Sequence, residues 1–385
     1  MRHPRESRKK YMTIICPYKR PEMAGSRPLL VPAAWLYRLG SGIHRRMRRK
    51  PRRPANTDAL IISIGNLEAG GGGKTPFCIF LLRELLGLGG RPVYISRGYG
   101  SESGWPGFVT VVPPDEPGAG LFHLTRLRIV HRQSSCLAGA VGDEGAVVAR
   151  AVPDVPLLFA GCKNSALAAA IELFDPTHIV LDDAFQSWGV YRDMDIVLLD
   201  SKAPTGNGRL LPAGSLREVP AALRRADWIG LNNLGEQGEP AGREAFALEK
   251  VASGIPVFGI RRKLYFQKPD GEHLFPDDRP VAALSSIARP EAFESLLQAA
   301  GWKIDLALRY PDHFPYRPGD LLEIRRCLVE HSLSRLVTTE KDWVKLEPLK
   351  MDHQSVLVAG LELALTGADL LAAIKKPQAK PAAFS

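Results

Sequence analysis

The feature that most constrains this chain is a glycine-rich loop between two apolar segments, Ala69-Gly70-Gly71-Gly72-Gly73-Lys74-Thr75. Residues 60–64 are typical of a short buried strand and residues 76–88 of a helix. Glycines let the backbone curl until several N–H groups point at one anion, and the helix N-terminus adds its dipole. A glycine run alone could be a plain turn, but this setting predicts a phosphate cradle for a nucleotide. In that cradle, Lys74 would reach the β- and γ-phosphates and Thr75 would ligate Mg²⁺.

Beyond the loop, short apolar strands alternate with helices along most of the chain. This alternation indicates a mostly parallel sheet with helices on both faces, as in P-loop NTPases. Because the pattern restarts near residue 250, we predict a P-loop kinase-like domain over residues 57–252 and a smaller α/β domain over residues 253–374. Residues 1–25 are expected to be disordered or to precede the true start, and residues 375–385 to form a loose tail.

Positive charge is concentrated at the N-terminus. Residues 1–56 hold 16 of the 51 lysines and arginines but only two of the 41 acidic residues. The body is therefore mildly acidic, which argues against a nucleic-acid groove within it. The apolar residues 29–43 are too few to cross a bilayer. We predict an amphipathic, basic, membrane-associated segment over residues 26–56, although a solvated arm beside a packed helix is the alternative. Its predicted lipid contacts are Trp35, Arg45, Arg46, Arg48 and Arg49.

Other candidate site residues are acids and one histidine. Asp182 and Asp183 follow the apolar run at residues 178–181, where a strand-end acid can hold Mg²⁺ beside a nucleotide. Aspartates are also common in strand-end turns, so these acids gain meaning only together with the loop. Asp143 opens a predicted helix and His313 lies in a proline-bounded loop. Both of these are weak signals when taken alone.

A series of segments, taken in order, resembles the tetraacyldisaccharide 4′-kinase (lipid A 4′-kinase) family. Each segment could arise by chance, whereas the ordered series over about residues 24–350 is specific. The segments are Ser63-Ile64-Gly65-Asn66-Leu67 before the glycine loop, Ser96-Arg97-Gly98-Tyr99-Gly100, Val141-Gly142-Asp143-Glu144, Leu181-Asp182-Asp183-Ala184-Phe185-Gln186, Arg192-Asp193, Asn207-Gly208-Arg209-Leu210-Leu211-Pro212-Ala213-Gly214, Leu216-Arg217-Glu218, Pro311-Asp312-His313 and Thr338-Thr339-Glu340-Lys341-Asp342.

The resemblance implies transfer of the γ-phosphate of ATP to the 4′-hydroxyl of a tetraacylated glucosamine disaccharide 1-phosphate, giving lipid IV-A. It implies that Asp143 acts with His313 to activate the sugar hydroxyl, and that closure of the two domains completes the site. Asp182 and Asp183 would serve Mg²⁺-ATP. It further implies a peripheral protein on the cytoplasmic face of the inner membrane. The charge distribution predicts no nucleic-acid partner, and no obligate protein partner is evident from the sequence. Substrate or supporting contacts would come from Arg97, Gln186, Arg217 and Glu218.

The chain departs from the family pattern at several positions. Gly72, Gly145, Ala184 and Ser187 stand where relatives usually carry other residues, and Asn164 replaces a usual cation. The rival enzyme class is a P-loop ATPase or GTPase of the metallochaperone type. It would need clustered Cys or His ligands, and the five cysteines are dispersed, as in a reduced cytoplasmic protein. A protein that only binds membranes or nucleic acid would leave the glycine loop and paired acids unexplained.

Overall fold

The computed structural model describes residues 12–15, 40, 51–70, 72–98, 109–114, 127–132, 134, 137–232 and 252–375. The predicted lipid contacts Trp35, Arg45, Arg46, Arg48 and Arg49 lie outside these residues, as does Gly71 of the glycine loop. Within the described ranges, no helix combines the length and the apolar character that a membrane crossing requires.

Strands and helices alternate along the described chain. The strands are β1 Met12–Ile15, β2 Leu60–Asn66, β3 Pro92–Ser96, β4 Val109–Val112, β5 Leu127–Ile129, β6 Leu157–Phe159, β7 His178–Asp182, β8 Met194–Asp200, β9 Trp228–Asn232, β10 Val257–Gln267, β11 Val281–Ser285, β12 Ile304–Arg309, β13 Leu336–Thr339 and β14 Val356–Gly367. The helices are α1 Lys74–Gly87, α2 Leu137–Val141, α3 Asp143–Ala151, α4 Lys163–Phe174, α5 Pro290–Ala299, α6 Pro318–Glu330, α7 Glu340–Leu346 and α8 Leu370–Lys375.

The larger of two compact units comprises residues Ala24–Lys263 and Glu362–Ser385. Its strands lie in the order β10-β9-β8-β2-β7-β3-β6-β4-β5, and every neighbouring pair is parallel except β4 with β6. The central strand β2 pairs with β7 on one side and β8 on the other. In a parallel sheet the carboxyl ends share one edge, so the glycine loop after β2 and the acids after β7 leave the sheet side by side.

The smaller unit comprises residues Met1–Met23 and Leu264–Leu361. Its strands follow the order β1-β12-β11-β13-β14, all parallel. Alternate residues of β11 enter two different cores. Ala282 and Leu284 pack with Leu306 and Trp343, whereas Val281 and Ala283 join the cluster that contains Phe293. The alternation shows that both faces of this sheet are covered, as a parallel sheet requires.

The predicted α/β class with a mostly parallel sheet and helices is confirmed. The boundaries of the two compact units fall inside β10 and β14, and the domain limits 57–252 and 253–374 stay a prediction. Residues 1–25 are expected to be disordered or to precede the true start, and Met12–Ile15 among them pair in parallel with β12. Strand β12 itself was not predicted, since its sequence IDLALR carries charges at both ends and lacks a continuous apolar run.

Candidate active site

The glycine loop connects β2 to α1 through left-handed backbone. Gly73 is the N-cap of α1 with φ 72° and ψ 20°, and Gly70 has φ 112°. Glycine adopts these conformations without the Cβ strain that other residues would carry. Among the residues that the structure describes, no side chain caps the first turn of α1. The N–H groups that start the helix are therefore placed to receive an anion beside Lys74.

Two asparagine amides fix the loop from the strand side. Asn66 Nδ2 donates to the Gly70 carbonyl at 3.2 Å, and Asn232 Nδ2 donates to the Gly72 carbonyl at 2.8 Å. The sequence reasoning missed Asn232, which lies 160 residues after Gly72 and ends strand β9. Both hydrogen bonds hold loop carbonyls from the strand side, while the Gly72 N–H donates to the Gly70 carbonyl at 2.9 Å within the loop.

Glu68 occupies the position at which a strict P-loop has glycine, and it joins the loop to residues 203–217. Ser215 Oγ donates to Glu68 Oε1 at 3.0 Å, and the Ala69 N–H donates to the Ser215 carbonyl at 2.8 Å. A Cβ atom on Gly206 would lie 1.9 Å from Glu68 Oε1. Glu68 therefore supplies the hydrogen-bond acceptor that attaches residues 203–217 to the glycine loop.

Asp183 lies between two cations. Arg217 Nη1 donates to both of its carboxylate oxygens, at 3.0 and 2.8 Å, and Lys74 Nζ is 3.4 Å from Oδ1. Burial by itself would raise the pKa of Asp183, but the charges of Lys74 and Arg217 outweigh it. Its pKa therefore lies below the ordinary value, and the carboxylate is ionised at neutral pH. The structure thus brings the predicted residues Lys74, Asp183 and Arg217 together.

Asp182 is the more deeply buried acid. Its Oδ2 accepts a hydrogen bond from the Tyr94 hydroxyl at 2.7 Å, while its Oδ1 is buried and has no hydrogen-bond partner in the described chain. Burial raises the pKa of Asp182, and the Tyr94 hydrogen bond and the charge of Lys74 oppose that rise. A buried carboxylate oxygen without a partner is costly unless a cation completes its surroundings.

These groups fit Mg²⁺ bound together with a nucleotide. The described ranges contain no cluster of three or more Cys, His, Asp or Glu side chains that would cage a metal. Mg²⁺ commonly takes only one or two carboxylates and completes its shell with water and phosphate oxygens. Asp182 with its unpaired Oδ1, Asp183 and the Thr75 hydroxyl in the first turn of α1 are the residues that would hold it.

Lys163 is a second buried cation, which the sequence reasoning missed. It is 3% exposed, and its Nζ donates to the carbonyl oxygens of Asp182 and of Asp183, the latter at 2.8 Å. Burial lowers the pKa of Lys163 to about 8, although the charges of both aspartates raise it. A lysine that opens a helix usually lies at the surface, so no local signal marks Lys163 as buried. The neighbouring Asn164, which replaces the family's cation, instead donates to the Gly189 carbonyl at 2.9 Å.

Asp143 begins helix α3 directly after Gly142, whose φ is 84°. Its side chain is partly buried. Gly145 differs from the residue that the family usually carries, and it lies close to the Phe159 ring. A Cβ atom on Gly145 would lie 2.8 Å from that ring. A residue with a side chain at this position would need Phe159 to move. The helix that presents Asp143 is thus packed around a glycine.

The other residues predicted to contact substrate or support the site in the larger unit are Arg97, Gln186 and Glu218. Arg97 is exposed after β3, and its charge acts on Lys163. Gln186 Nε2 donates to the Asn66 carbonyl at 2.9 Å, which ties the segment after the paired acids to the strand before the loop. Glu218 accepts a hydrogen bond from Arg225 at 3.0 Å. Gln186 therefore supports the start of the glycine loop, whereas Glu218 pairs with Arg225.

His313 belongs to the smaller unit and has a left-handed backbone with φ 59°. Its N–H donates to the Ser286 carbonyl at 3.1 Å, and its Nε2 is 3.9 Å from Asp312 Oδ1. The side chain is 39% exposed, so the imidazole remains accessible. The backbone of the loop is therefore fixed through Ser286, while the ring projects to the surface of the unit.

Ser286 is in turn held by the buried Asp342 of the Thr338–Asp342 motif. The Ser286 N–H lies 3.2 and 3.1 Å from the two carboxylate oxygens, and its hydroxyl donates to Oδ1. Tyr316 and Thr339 also donate to this carboxylate, at 3.1 and 2.7 Å, and Lys345 donates to Ser286 Oγ at 2.7 Å. This network explains the motif structurally, because the fully buried Asp342 anchors the backbone that carries His313.

The chain is similar to known proteins of one family. A family model described as tetraacyldisaccharide-1-P 4′-kinase matches residues 26–378. The chain is 38% identical over 303 residues to the tetraacyldisaccharide 4′-kinase of Syntrophus aciditrophicus, covering 75% of this chain and 76% of that one. It is 36% identical over 329 residues to the enzyme of that name from Anaeromyxobacter dehalogenans strain 2CP-C, covering 83% and 82%.

A solved structure is also similar. It is a crystal structure of LpxK from Aquifex aeolicus, described as an "apo" form in complex with ATP. The TM-score is 0.66 at 26% sequence identity, with 88% of this chain and 94% of the other covered. The family match spans both units, and the relatives are matched over most of their lengths. The chain belongs to the tetraacyldisaccharide-1-P 4′-kinase family.

Proposed function

We propose that this protein transfers the γ-phosphate of ATP to the 4′-hydroxyl of a tetraacylated glucosamine disaccharide 1-phosphate, giving lipid IV-A in lipid A biosynthesis. The observation that carries the proposal is the group at the glycine loop. Lys74 and Arg217 flank the ionised Asp183, and the neighbouring Asp182 keeps a buried oxygen unpaired. Family membership supplies the acceptor.

The nucleotide half of the reaction depends on positive groups. The loop N–H groups and Lys74 would bind the β- and γ-phosphates and stabilise the charge that develops during transfer. Asp182, Asp183 and Thr75 would hold Mg²⁺, which when bound neutralises charge on those phosphates. Lys163 would keep the two aspartates in position through their backbone carbonyls.

The acceptor half depends on a base, since a sugar hydroxyl is a weak nucleophile. In the proposed reaction the 4′-oxygen bonds to the γ-phosphorus, the bond from that phosphorus to the bridging oxygen breaks, and ADP leaves. Asp143 would take the hydroxyl proton as attack proceeds. His313 would be the second catalytic residue, orienting or tuning a base as imidazoles commonly do. Arg97, Gln186, Arg217 and Glu218 remain candidates for substrate or supporting contacts.

We also propose peripheral attachment to the cytoplasmic face of the inner membrane through residues 26–56. The support is the composition of this segment and the lipid nature of the acceptor. Arg53, near the end of this segment, is already bound to residues of the larger unit. Arg53 donates to the Asp193 carboxylate and to the Ala59 carbonyl at 3.0 Å. Lipid contact is therefore assigned to Trp35 and to the arginines from 45 to 49.

A transfer assay tests the proposed reaction. Purified protein, radiolabelled ATP and the tetraacyl disaccharide 1-phosphate in detergent micelles should give labelled lipid. Asp143→Ala should lower kcat by about 100- to 10,000-fold, the usual worth of a general base, with ATP affinity unchanged. His313→Ala should lower kcat as well, again without affecting ATP binding.

Circular dichroism and the affinity for ATP serve as controls for folding. If the wild-type protein binds ATP but labels no lipid, the proposed acceptor is wrong. If Asp143→Ala keeps full activity, the assignment of the base is wrong while the kinase reaction stands.

A further inference from the structure

Arg262, on strand β10, reaches the start of the helix that follows the glycine loop. A Cβ atom placed on Gly73 would lie only 2.2 Å from Arg262 Nη2 and 3.3 Å from Asn232 Nδ2. Gly73 is the N-cap of α1 and directly precedes Lys74. The guanidinium therefore lies against the part of the loop where the helix N-terminus and Lys74 would receive phosphate.

The surroundings of Arg262 leave its charge poorly compensated. Its Nε is buried and has no hydrogen-bond partner in the described chain. Burial lowers its pKa, and the charge of Asp200 opposes this only in part. The carboxylate nearest to Lys74, that of Asp183, is already bound by Arg217.

Three positive elements thus converge on Gly73, namely Arg262, Lys74 and the N-terminal end of α1. A cation at a helix N-terminus meets the positive end of the helix dipole, so the position of Arg262 is unfavourable by itself. A bound anion removes that repulsion and accepts hydrogen bonds from the N–H groups at the start of the helix. A guanidinium also presents several donors in a planar fork that matches phosphate oxygens.

We propose that Arg262 binds the β- and γ-phosphates of ATP as a second cation beside Lys74. The inference rests on the proposed kinase function and adds a residue to its nucleotide site. Arg262 lies in a strand about 190 positions beyond the loop, outside the segments that carried the family resemblance. Under this proposal, position 73 requires glycine for a second reason besides its left-handed backbone. Any side chain there would displace the Arg262 guanidinium.

Nucleotide binding tests the proposal without the lipid acceptor. The affinity of the full-length protein for a fluorescent ATP analogue with Mg²⁺ is measured for Arg262→Gln, Arg262→Lys and Arg261→Gln. Arg261 is the matched control, since it is exposed and adjacent residues of a strand point to opposite faces. Loss of a charge-assisted hydrogen bond should weaken binding about 10- to 100-fold in Arg262→Gln.

Arg262→Lys should bind with intermediate affinity, because it keeps the charge and loses the fork. Arg261→Gln should bind within about twofold of wild type. Thermal unfolding without nucleotide should show every variant folded, with Arg262→Gln no less stable than wild type because it removes a poorly compensated charge. Unchanged or tighter binding by Arg262→Gln would overturn the proposal, and tighter binding would mean that Arg262 obstructs the cradle. A wild-type protein that binds ATP but labels no lipid would refute the acceptor and leave this inference standing.

Discussion

At the scale of single residues, Lys163 shows how a buried charge can organise a site that it does not enter. Its ammonium group binds the main-chain carbonyls of Asp182 and Asp183, and the latter residue has a left-handed φ of 48°. A non-glycine residue in this region carries strain that its surroundings must offset. Lys163 therefore stabilises the turn that places both carboxylates beside the loop.

Lys163→Met should lower kcat/KM for ATP about 10- to 100-fold, because two buried carbonyls lose a charged donor. The matched control is Asn164→Ala, which alters the next residue of α4 and should retain near wild-type activity. Equal losses in the two variants would indicate general damage to the helix and contradict a specific role for Lys163.

The same substitution has a pH signature in stability. The pKa of Lys163 is lowered to about 8 in the folded protein, against about 10.4 for an unperturbed lysine. Between these values the unfolded chain binds more protons, so this group makes stability rise with pH. The free energy of unfolding of the wild type should increase relative to Lys163→Met from pH 8 to 10.4, by up to about 3 kcal/mol. A pH-independent difference in denaturant titrations would contradict the lowered pKa.

At the scale of elements, the smaller unit holds the His313 loop through β11 and α7. Asp342, in the first turn of α7, binds the N–H and hydroxyl of Ser286, whose carbonyl receives the His313 N–H. Because the carboxylate is fully buried, its hydrogen bonds are strong and their loss is costly. The loop that carries the histidine is therefore anchored to helix α7 through Ser286.

Two hydroxyl deletions separate this positioning role from plain stability. Ser286→Ala and Thr339→Val each remove one hydroxyl that donates to Asp342, and each should cost about 1–2 kcal/mol. The Ser286 backbone carbonyl accepts the His313 N–H and is kept in Ser286→Ala, so this variant should lower kcat only because the lost hydroxyl loosens the Ser286 backbone, by about threefold to tenfold with ATP affinity unchanged, whereas Thr339→Val should leave kcat near wild type. Chemical denaturation and steady-state kinetics measure the two effects. A kcat loss shared by both variants, or by neither, would contradict the positioning role.

At the scale of the whole molecule, the charge distribution divides a cationic N-terminal segment from a mildly acidic body. Near an anionic lipid surface each arginine contributes roughly 1 kcal/mol, so a cluster can hold a protein there without a membrane-spanning helix. Arg53 is bound to Asp193 and marks where the body begins. The segment proposed to attach to the membrane and the folded units can therefore be tested separately.

Changing Arg45, Arg46, Arg48 and Arg49 to Gln should weaken sedimentation with vesicles that contain anionic lipid at least about tenfold. The control carries the same charge change on exposed body arginines, Arg224, Arg261, Arg289 and Arg326, and should sediment like wild type. Activity on a detergent-solubilised acceptor should persist in both. Equal weakening in the two variants would show that net charge, and not this segment, drives attachment.

The sequence by itself determined the features that depend on near neighbours in the chain. The glycine run, the apolar strand before it and the acids that end β7 predict a nucleotide site, because turn chemistry and periodicity act over a few residues. The same local rules predicted most helices and strands. They missed β12, whose apolar residues are interrupted by charge, and β1, which is stabilised by pairing with it.

The tertiary structure alone decided which distant groups complete the site. Nothing local marks Lys163 as buried, Asn232 as a loop contact, or Arg262 as a neighbour of Gly73. Such pairings depend on strand order, and on which donor meets which acceptor once water is excluded. The sequence therefore predicts which loop would bind phosphate, and packing determines which additional charges surround that loop.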